Sequence, residues 1–254
     1  MSAEFLLVNN NNSRTKFVLA GGDLIDEGTH RAIETATLSP ETVAEAIAGW
    51  KFEKVVLASV VPEKAAILRD CFAQPFVEVS HRIELGIDVD FPDPETVGAD
   101  RLANAAAVAA FHEAPAIVVD FGTAVTFDIV APGAARPAYI GGVIAPGLDV
   151  MRDYLHQRTA LLPRIDLREP PAAIGKSTID AMLSGAVHGY RGLVREILAR
   201  VRDELPGNSP LKVIATGGYA DLIAAGLPEI DLVDPLLTLR GLAAIGNLND
   251  FSVS

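Results

Sequence analysis

Short apolar runs divided by turn residues fill the first part of the chain. Phe5 to Val8 and Lys16 to Ala20 read as two strands, the first followed by four asparagines and the second by Gly21, Gly22 and Asp23, so a hairpin is predicted. Ser39, Pro40 and Glu41 supply an N-cap, a proline at the first helical position and an early acid, which predicts a helix to about Ala48. Lys54 to Val60 reads as a buried strand, Pro62 to Phe72 as a helix and Phe76 to Ser80 as another strand. Asp93, Pro94 and Glu95 predict the cap of a helix that carries Ala99 through Phe111, and its many alanines suit close packing. The first lobe is expected to end near Ala114.

A second set begins with Ile117 to Asp120, then Phe121 to Ala124, then Val125 to Val130. LLVNNNNSRTKF and VVDFGTAVTFDI are alike in kind, each a strand, a polar turn and a strand, with Asn9 falling on Asp120, 111 positions on. Two lobes with the same opening hairpin suggest an internal duplication. Tyr139 to Ile144 reads as a strand, Gly147 to Arg158 as a helix, and Lys212 to Ala215 as a strand running into Thr216, Gly217 and Gly218. From Thr178 to Leu205 the apolar residues Ile179, Met182, Leu183, Ala186, Val187, Tyr190, Leu193, Val194, Ile197, Leu198 and Val201 keep helical spacing. So long and apolar a helix is either the spine of a lobe or a dimer face.

Composition narrows the class. The chain has 254 residues, 50% apolar and 21% charged, enough to bury a sizeable core. A net charge of −12 argues against a nucleic-acid backbone as partner. One cysteine, Cys71, cannot form an intrachain disulfide, and the start MSAEFLLVNNNN lacks the basic region and long apolar stretch of a secretory signal. No apolar run reaches the roughly 18–20 residues of a membrane span, so a soluble cytoplasmic protein is expected. The five histidines have no ligand spacing, and Cys71 is expected only to pack.

Four short segments have residue types that can do chemistry. Asp120 to Thr126 places a carboxylate at a strand end before a glycine and a threonine, which suits a phosphate or a cation, or equally a hairpin turn with a satisfied acid. Gly98, Ala99, Asp100 and Arg101 stand near a helix start, where an anion can bind and Asp100 can act as a base; the plainer reading is a cap and a surface ion pair. Gly141 to Gly147 reads as a rigid turn that re-aims the chain. Thr216, Gly217 and Gly218 make the sort of turn that meets an adenosine or a neighbouring helix. Gly175, Lys176, Ser177 and Thr178 resemble the end of a P-loop, but Pro170 stands where that motif needs a glycine, and Ser177 more simply caps the long helix. No GxGxxG occurs, so a Rossmann reading has no fingerprint.

Taken in order, PETVGADRLANA, VVDFGTAVTFDIV, YIGGVIAPGLDVM, RTALLP, IGKSTIDAMLSGAVHGYRGLV, IATGGYADLI and LTLRGLAAIGNLN resemble the type III pantothenate kinase family along nearly the whole chain. The resemblance implies an α/β protein of two duplicated actin-like (ribonuclease H-like) lobes with mixed sheets and flanking helices, residues 1–115 and 116–254, with the site in the cleft between them. It implies transfer of phosphate from ATP to the 4′-hydroxyl of pantothenate, the first step towards coenzyme A. Asp100 would be the base, with Gly98, Ala99, Arg101, Thr178 and Phe91 around the pantothenate. Asn9, Asn10, Asn11, Asn12, Ser13, Arg14, Thr15, Lys16, Thr123, Thr216, Gly217 and Gly218 would surround the nucleotide, with Mg²⁺ on its phosphates. Asp120 would belong to a monovalent-cation site for K⁺ or NH₄⁺, and the long helices would pair in a homodimer.

Two positions depart from the family pattern. The first phosphate loop of the family usually reads Asp-x-Gly-Asn-Thr, whereas here Asn9, Asn10, Asn11, Asn12 and Ser13 stand in its place. Asn11 for glycine is expected to be tolerated because asparagine accepts positive φ. Asn9 for aspartate removes one negative charge near the metal, and a slowed kinase or a non-catalytic relative binding pantothenate, nucleotide or a protein partner are both compatible with it. Phe91 stands where the family usually has tyrosine, so one hydroxyl is lost.

Overall fold

A computed structural model describes residues 2–205, 210–249 and 251. In chain order the elements are β1 (Ala3–Asn10), β2 (Arg14–Gly21), β3 (Leu24–Glu34), α1 (Pro40–Ala46), β4 (Phe52–Ser59), α2 (Pro62–Cys71), β5 (Phe76–Glu78), β6 (Asp88–Val89) and α3 (Ala99–Phe111). There follow β7 (Ala116–Phe121), β8 (Ala124–Ala131), β9 (Ala138–Pro146), α4 (Leu148–Arg158), α5 (Thr178–Glu204), β10 (Lys212–Thr216), α6 (Ala220–Ala224), β11 (Leu232–Val233) and α7 (Leu237–Leu248).

The first sheet has the order β3-β2-β1-β4-β5, with β1–β2 and β2–β3 antiparallel and β1–β4 and β4–β5 parallel. The second runs β11-β10-β7-β8-β9-β6, with β7–β10 and β10–β11 parallel. Read from β9 to β11, it repeats the order of the first sheet strand for strand, so the duplication suggested by the two opening hairpins is present in the topology. β6 is the addition, paired in parallel with β9 through Asp88–Ala138 and Val89–Tyr139.

Contacts divide the chain into two compact units: Met1–Ala114 with Asp128–Gly141 and Leu236–Ser254, and Pro115–Phe127 with Gly142–Pro235. The first unit thus takes in two later segments of the chain. The reason is packing. The small residues of α3 let α7 approach so closely that a methyl group on Gly241 would strike the Ala103 carbonyl, and Asp128 pairs with Arg101. At the centre of the first sheet, Phe5 to Val8 and Val55 to Ala58 are buried, which accounts for their unbroken apolar runs.

Four details differ from the sequence expectations, the first being that Gly141 to Pro146, expected as a rigid turn, is extended as the second part of β9. Strand β3 was not foreseen because it is an edge strand with a mostly exposed, polar sequence, LIDEGTHRAIE. Asp93 does not cap α3: Pro94–Thr96 closes as its own 3₁₀ turn through Val97 N–H to the Pro94 carbonyl, and Gly98 takes the N-cap position. Asn11 has no positive φ, since every described residue in that region of backbone space is a glycine; the turn closes instead by Asn11 N–H donating to the Arg14 carbonyl at 3.1 Å. Elsewhere the caps are as expected. Ser39 forms a full capping box on α1, and Ser177 accepts from Asp180 N–H at the start of α5, at 3.1 Å. Among the described residues no helix is long and apolar enough to cross a membrane.

Candidate active site

The β1–β2 hairpin is held by a buried polar chain. Asn10, fully buried, donates from Nδ2 to Thr15 Oγ1 (2.7 Å) and accepts at Oδ1 from Ser59 (2.6 Å). Thr15 and Thr35 share a hydroxyl contact of 3.0 Å, and Thr35 donates to the Asn11 carbonyl at 2.6 Å. Asn10 and Thr15 are thereby satisfied inside the protein and shape the loop, whereas Asn12, Ser13 and Arg14 are exposed at its tip. Asn9 pairs across the strands with Lys16, which puts both side chains on one face of the sheet. Asn9 is only 3% exposed, yet its Oδ1 and that of Asn11 are buried without a hydrogen-bond partner. Two acceptor oxygens left unsatisfied are costly unless a ligand meets them.

A second constellation lies at the start of α3. A methyl group on Gly98 would stand 2.7 Å from Asp100 Oδ1, so the missing Cβ makes room for that carboxylate. Asp100 Oδ1 accepts from the Arg101 backbone N–H at 2.9 Å. Burial nevertheless raises the Asp100 pKa, outweighing the pull of that bond and of the Arg101 charge. Arg101 does not form a surface pair with its neighbour. Its Nε donates to Asp128 Oδ1 at 2.6 Å, and its guanidinium carbon lies 5.6 Å from the centre of the Tyr139 ring. Asp128 is fully buried, and that burial pushes it up to about 6 despite Arg101 and the amide of Asn104. Tyr139, also fully buried and pushed up to about 12 by desolvation, has an unpartnered hydroxyl, with the Phe91 ring 6.2 Å away.

In the second unit, Asp120 stands next to the last residue of β7, opposite Thr216 of β10. Gly217, at φ +93°, passes so near that a methyl group there would lie 2.5 Å from Asp120 Oδ1 and 2.6 Å from the Phe121 backbone. Only glycine fits. The two segments, read separately in the sequence, are thus brought together: the Asp120 carboxylate packs directly under the Thr216 to Gly218 turn. Gly147 N–H donates to the carbonyl of the exposed Thr123 at 3.2 Å, which docks the end of the glycine-rich 141–147 segment on the turn between β7 and β8. Tyr190 of α5 donates to the Pro146 carbonyl at 3.1 Å. Thr178 is the exposed first residue of α5, and no described contact joins it to these turns.

A model of the type III pantothenate kinase family matches residues 5–200. The chain belongs to that family. It is 49% identical over 245 residues to a type III pantothenate kinase of Akkermansia muciniphila, covering 96% of this chain and 99% of the relative. Identity to the type III pantothenate kinase of Methylacidiphilum infernorum is 40% over 246 residues, covering 96% and 88%. Among solved structures, a putative Baf family transcriptional activator from Campylobacter jejuni superposes with a TM-score of 0.63 at 20% identity, covering 95% of this chain and 97% of that one. A putative 2-dehydro-3-deoxygalactonokinase from Sinorhizobium meliloti gives 0.55 at 13%, covering 96% of each. Both share the fold: two actin-like, sugar-kinase-like halves with mixed sheets.

Three residues bonded into this constellation carry no reading from the sequence: Asp128, Asn104 and Thr238. Asp128 carried a signal, an acid inside the apolar run Val125 to Val130. Such a residue must be paired when buried. Asn104 and Thr238 carried none, because their contact joins positions 134 residues apart, Thr238 Oγ1 donating to Asn104 Oδ1 at 2.8 Å.

Proposed function

We propose that the chain transfers the γ-phosphate of ATP to the 4′-hydroxyl of pantothenate. The reading is carried by the family match over residues 5–200, within which the half-buried carboxylate of Asp100 stands at the start of α3. Asp100 accepts the hydroxyl proton as the alkoxide oxygen bonds to phosphorus and the bond to ADP breaks. Gly98, Ala99, Arg101, Phe91 and Thr178 surround pantothenate. The hairpin from Asn9 to Lys16, Thr123 and the Thr216 to Gly218 turn meet the nucleotide. Two actin-like lobes, 1–115 and 116–254, and a cytoplasmic setting belong to the same reading. A steady-state assay with pantothenate, ATP, Mg²⁺ and K⁺ tests it: ADP must form only when pantothenate is present.

The unpartnered oxygens of Asn9 and Asn11 fit the shell of a Mg²⁺ ion carried by the phosphates, since that ion keeps several waters that need acceptors. When bound, Mg²⁺ neutralises phosphate charge. Asp120 offers one carboxylate beside the Thr216 to Gly218 turn, and this reading assigns it to a site for a monovalent cation. Exchanging K⁺ for Na⁺ at matched ionic strength is expected to lower the rate. Equal rates in the two salts leave Asp120 a structural role only.

A homodimer is part of the proposal. The face of α5 that carries Gly185, Gly189 and Gly192 has open space where side chains would stand, and Ile179 at its start is 42% exposed. Tyr154 of α4 and Leu161 are 56% and 90% exposed. Light scattering at micromolar concentration should return twice the 26.8 kDa chain mass, and a single chain mass refutes the dimer.

A further inference from the structure

We propose that Asp128 is a positioning residue for pantothenate, acting through Arg101, and that Asn104 and Thr238 hold it in place. This rests on the reading that Arg101 meets pantothenate. Asp128 is fully buried on β8 and so cannot itself reach a substrate. Both its oxygens are engaged: Oδ1 accepts from Arg101 Nε at 2.6 Å and Oδ2 from Asn104 Nδ2 at 3.1 Å. Asn104 Oδ1 in turn accepts from the Thr238 hydroxyl at 2.8 Å, so the order of donors and acceptors runs one way from α7 through α3 to β8.

The geometry restrains the guanidinium twice. The carboxylate fixes its Nε edge, and the Tyr139 ring, 5.6 Å from Cζ, restrains its plane. A planar, fork-shaped donor held at one edge presents its terminal nitrogens in a single direction, which is what recognition of an amide or carboxylate needs. An arginine on a flexible stem would lose more rotamer freedom on binding. The charged and titratable groups that act on Asp128 are Arg101 and Asp100 of α3 and Tyr139 of β9, and the Arg101 cation is the one among them that offsets its burial.

The test is a double-mutant cycle with Asp128→Asn, Arg101→Ala and the two combined, reading KM for each substrate, kcat and the melting temperature. Each single variant should raise the pantothenate KM about tenfold or more, the loss expected for a charge-assisted contact, and leave the ATP KM within about twofold. The double variant should be no worse than Arg101→Ala, because Asp128 acts only through that side chain. An unchanged pantothenate KM in Arg101→Ala overturns the reading of Arg101 and the proposal with it. A raised KM in Arg101→Ala but not in Asp128→Asn overturns the proposal alone. Multiplying effects in the double variant, or equal loss of affinity for ATP and pantothenate with a lowered melting temperature, also overturn it. Should Asp128→Asn fail to fold, Thr238→Val decides the matter, since it leaves no charge unpaired. A pantothenate KM raised about threefold at constant ATP KM supports the proposal, and an unchanged one refutes it.

Discussion

Asp100→Asn is expected to lower kcat by about 10²–10⁴-fold while pantothenate still binds, the loss usual when a general base is removed. The amide keeps the size of the carboxylate and fits the space left by Gly98, so the start of α3 should survive the change. Only proton acceptance is lost. The state of the wild-type group sets the pH dependence. Burial raises the Asp100 pKa, so the ionised, active form is lost at a higher pH than an ordinary carboxylate would give. The acid limb of the wild-type kcat profile should therefore lie above the usual aspartate range and be absent from Asp100→Asn. An unchanged kcat in the variant removes Asp100 from the mechanism.

Asn9→Asp is expected to raise turnover and tighten Mg²⁺–ATP binding. The substitution returns a negative charge to a position whose side-chain oxygen has no partner, on the face that also holds Lys16. A charge a few ångströms from the metal is worth on the order of 1–4 kcal/mol at an effective dielectric between those of water and a protein surface, so a gain of up to about a hundredfold or more follows. The same change has a cost without ligand. A carboxylate buried as deeply as Asn9, 3% exposed, has a folded pKa above its unfolded value unless a cation compensates. The variant should then lose stability, relative to wild type, as pH rises through the unfolded value towards the folded one, and Mg²⁺–ATP should restore it. Thermal melts with and without Mg²⁺–ATP at pH 7 check this beside the assay. A wild type already at a kcat of roughly 1–10³ s⁻¹, with no gain from the substitution, shows that Asn9 is no handicap.

The sequence was most informative where local rules decide the outcome. The Ser39 and Ser177 caps, the apolar runs of β1, β4 and β7, and the helical spacing of α5 each follow from a few neighbouring residues, and all formed as read. The repeat was legible too, because a strand, a polar turn and a strand recur with Asn9 matched to Asp120, and the two sheets then adopt one strand order. The edge strand β3 was hidden by the lack of a buried face to impose alternation. Of the site, the ordered motifs pointed to Asp100, Arg101, Asp120 and the Thr216 to Gly218 turn by resemblance. They did not state what those residues touch.

Tertiary structure decided the partners. In sequence, Arg101 stands beside Asp100, and proximity suggests that they pair; folding hands its Nε to Asp128 on β8 instead, because a fully buried carboxylate needs a cation more than a half-buried one does. Asp120 and Gly217 lie 97 positions apart, and only the parallel pairing of β7 with β10 lays one against the other. By itself, then, the sequence determined most of the elements, their repetition and the motifs, since these depend on propensity, capping and periodicity within a few residues. Which charge meets which, and which carboxylate is pushed up in pKa, depend on burial and on contacts between distant strands and helices. Those follow from the packed fold alone, because desolvation arises only once water has been excluded.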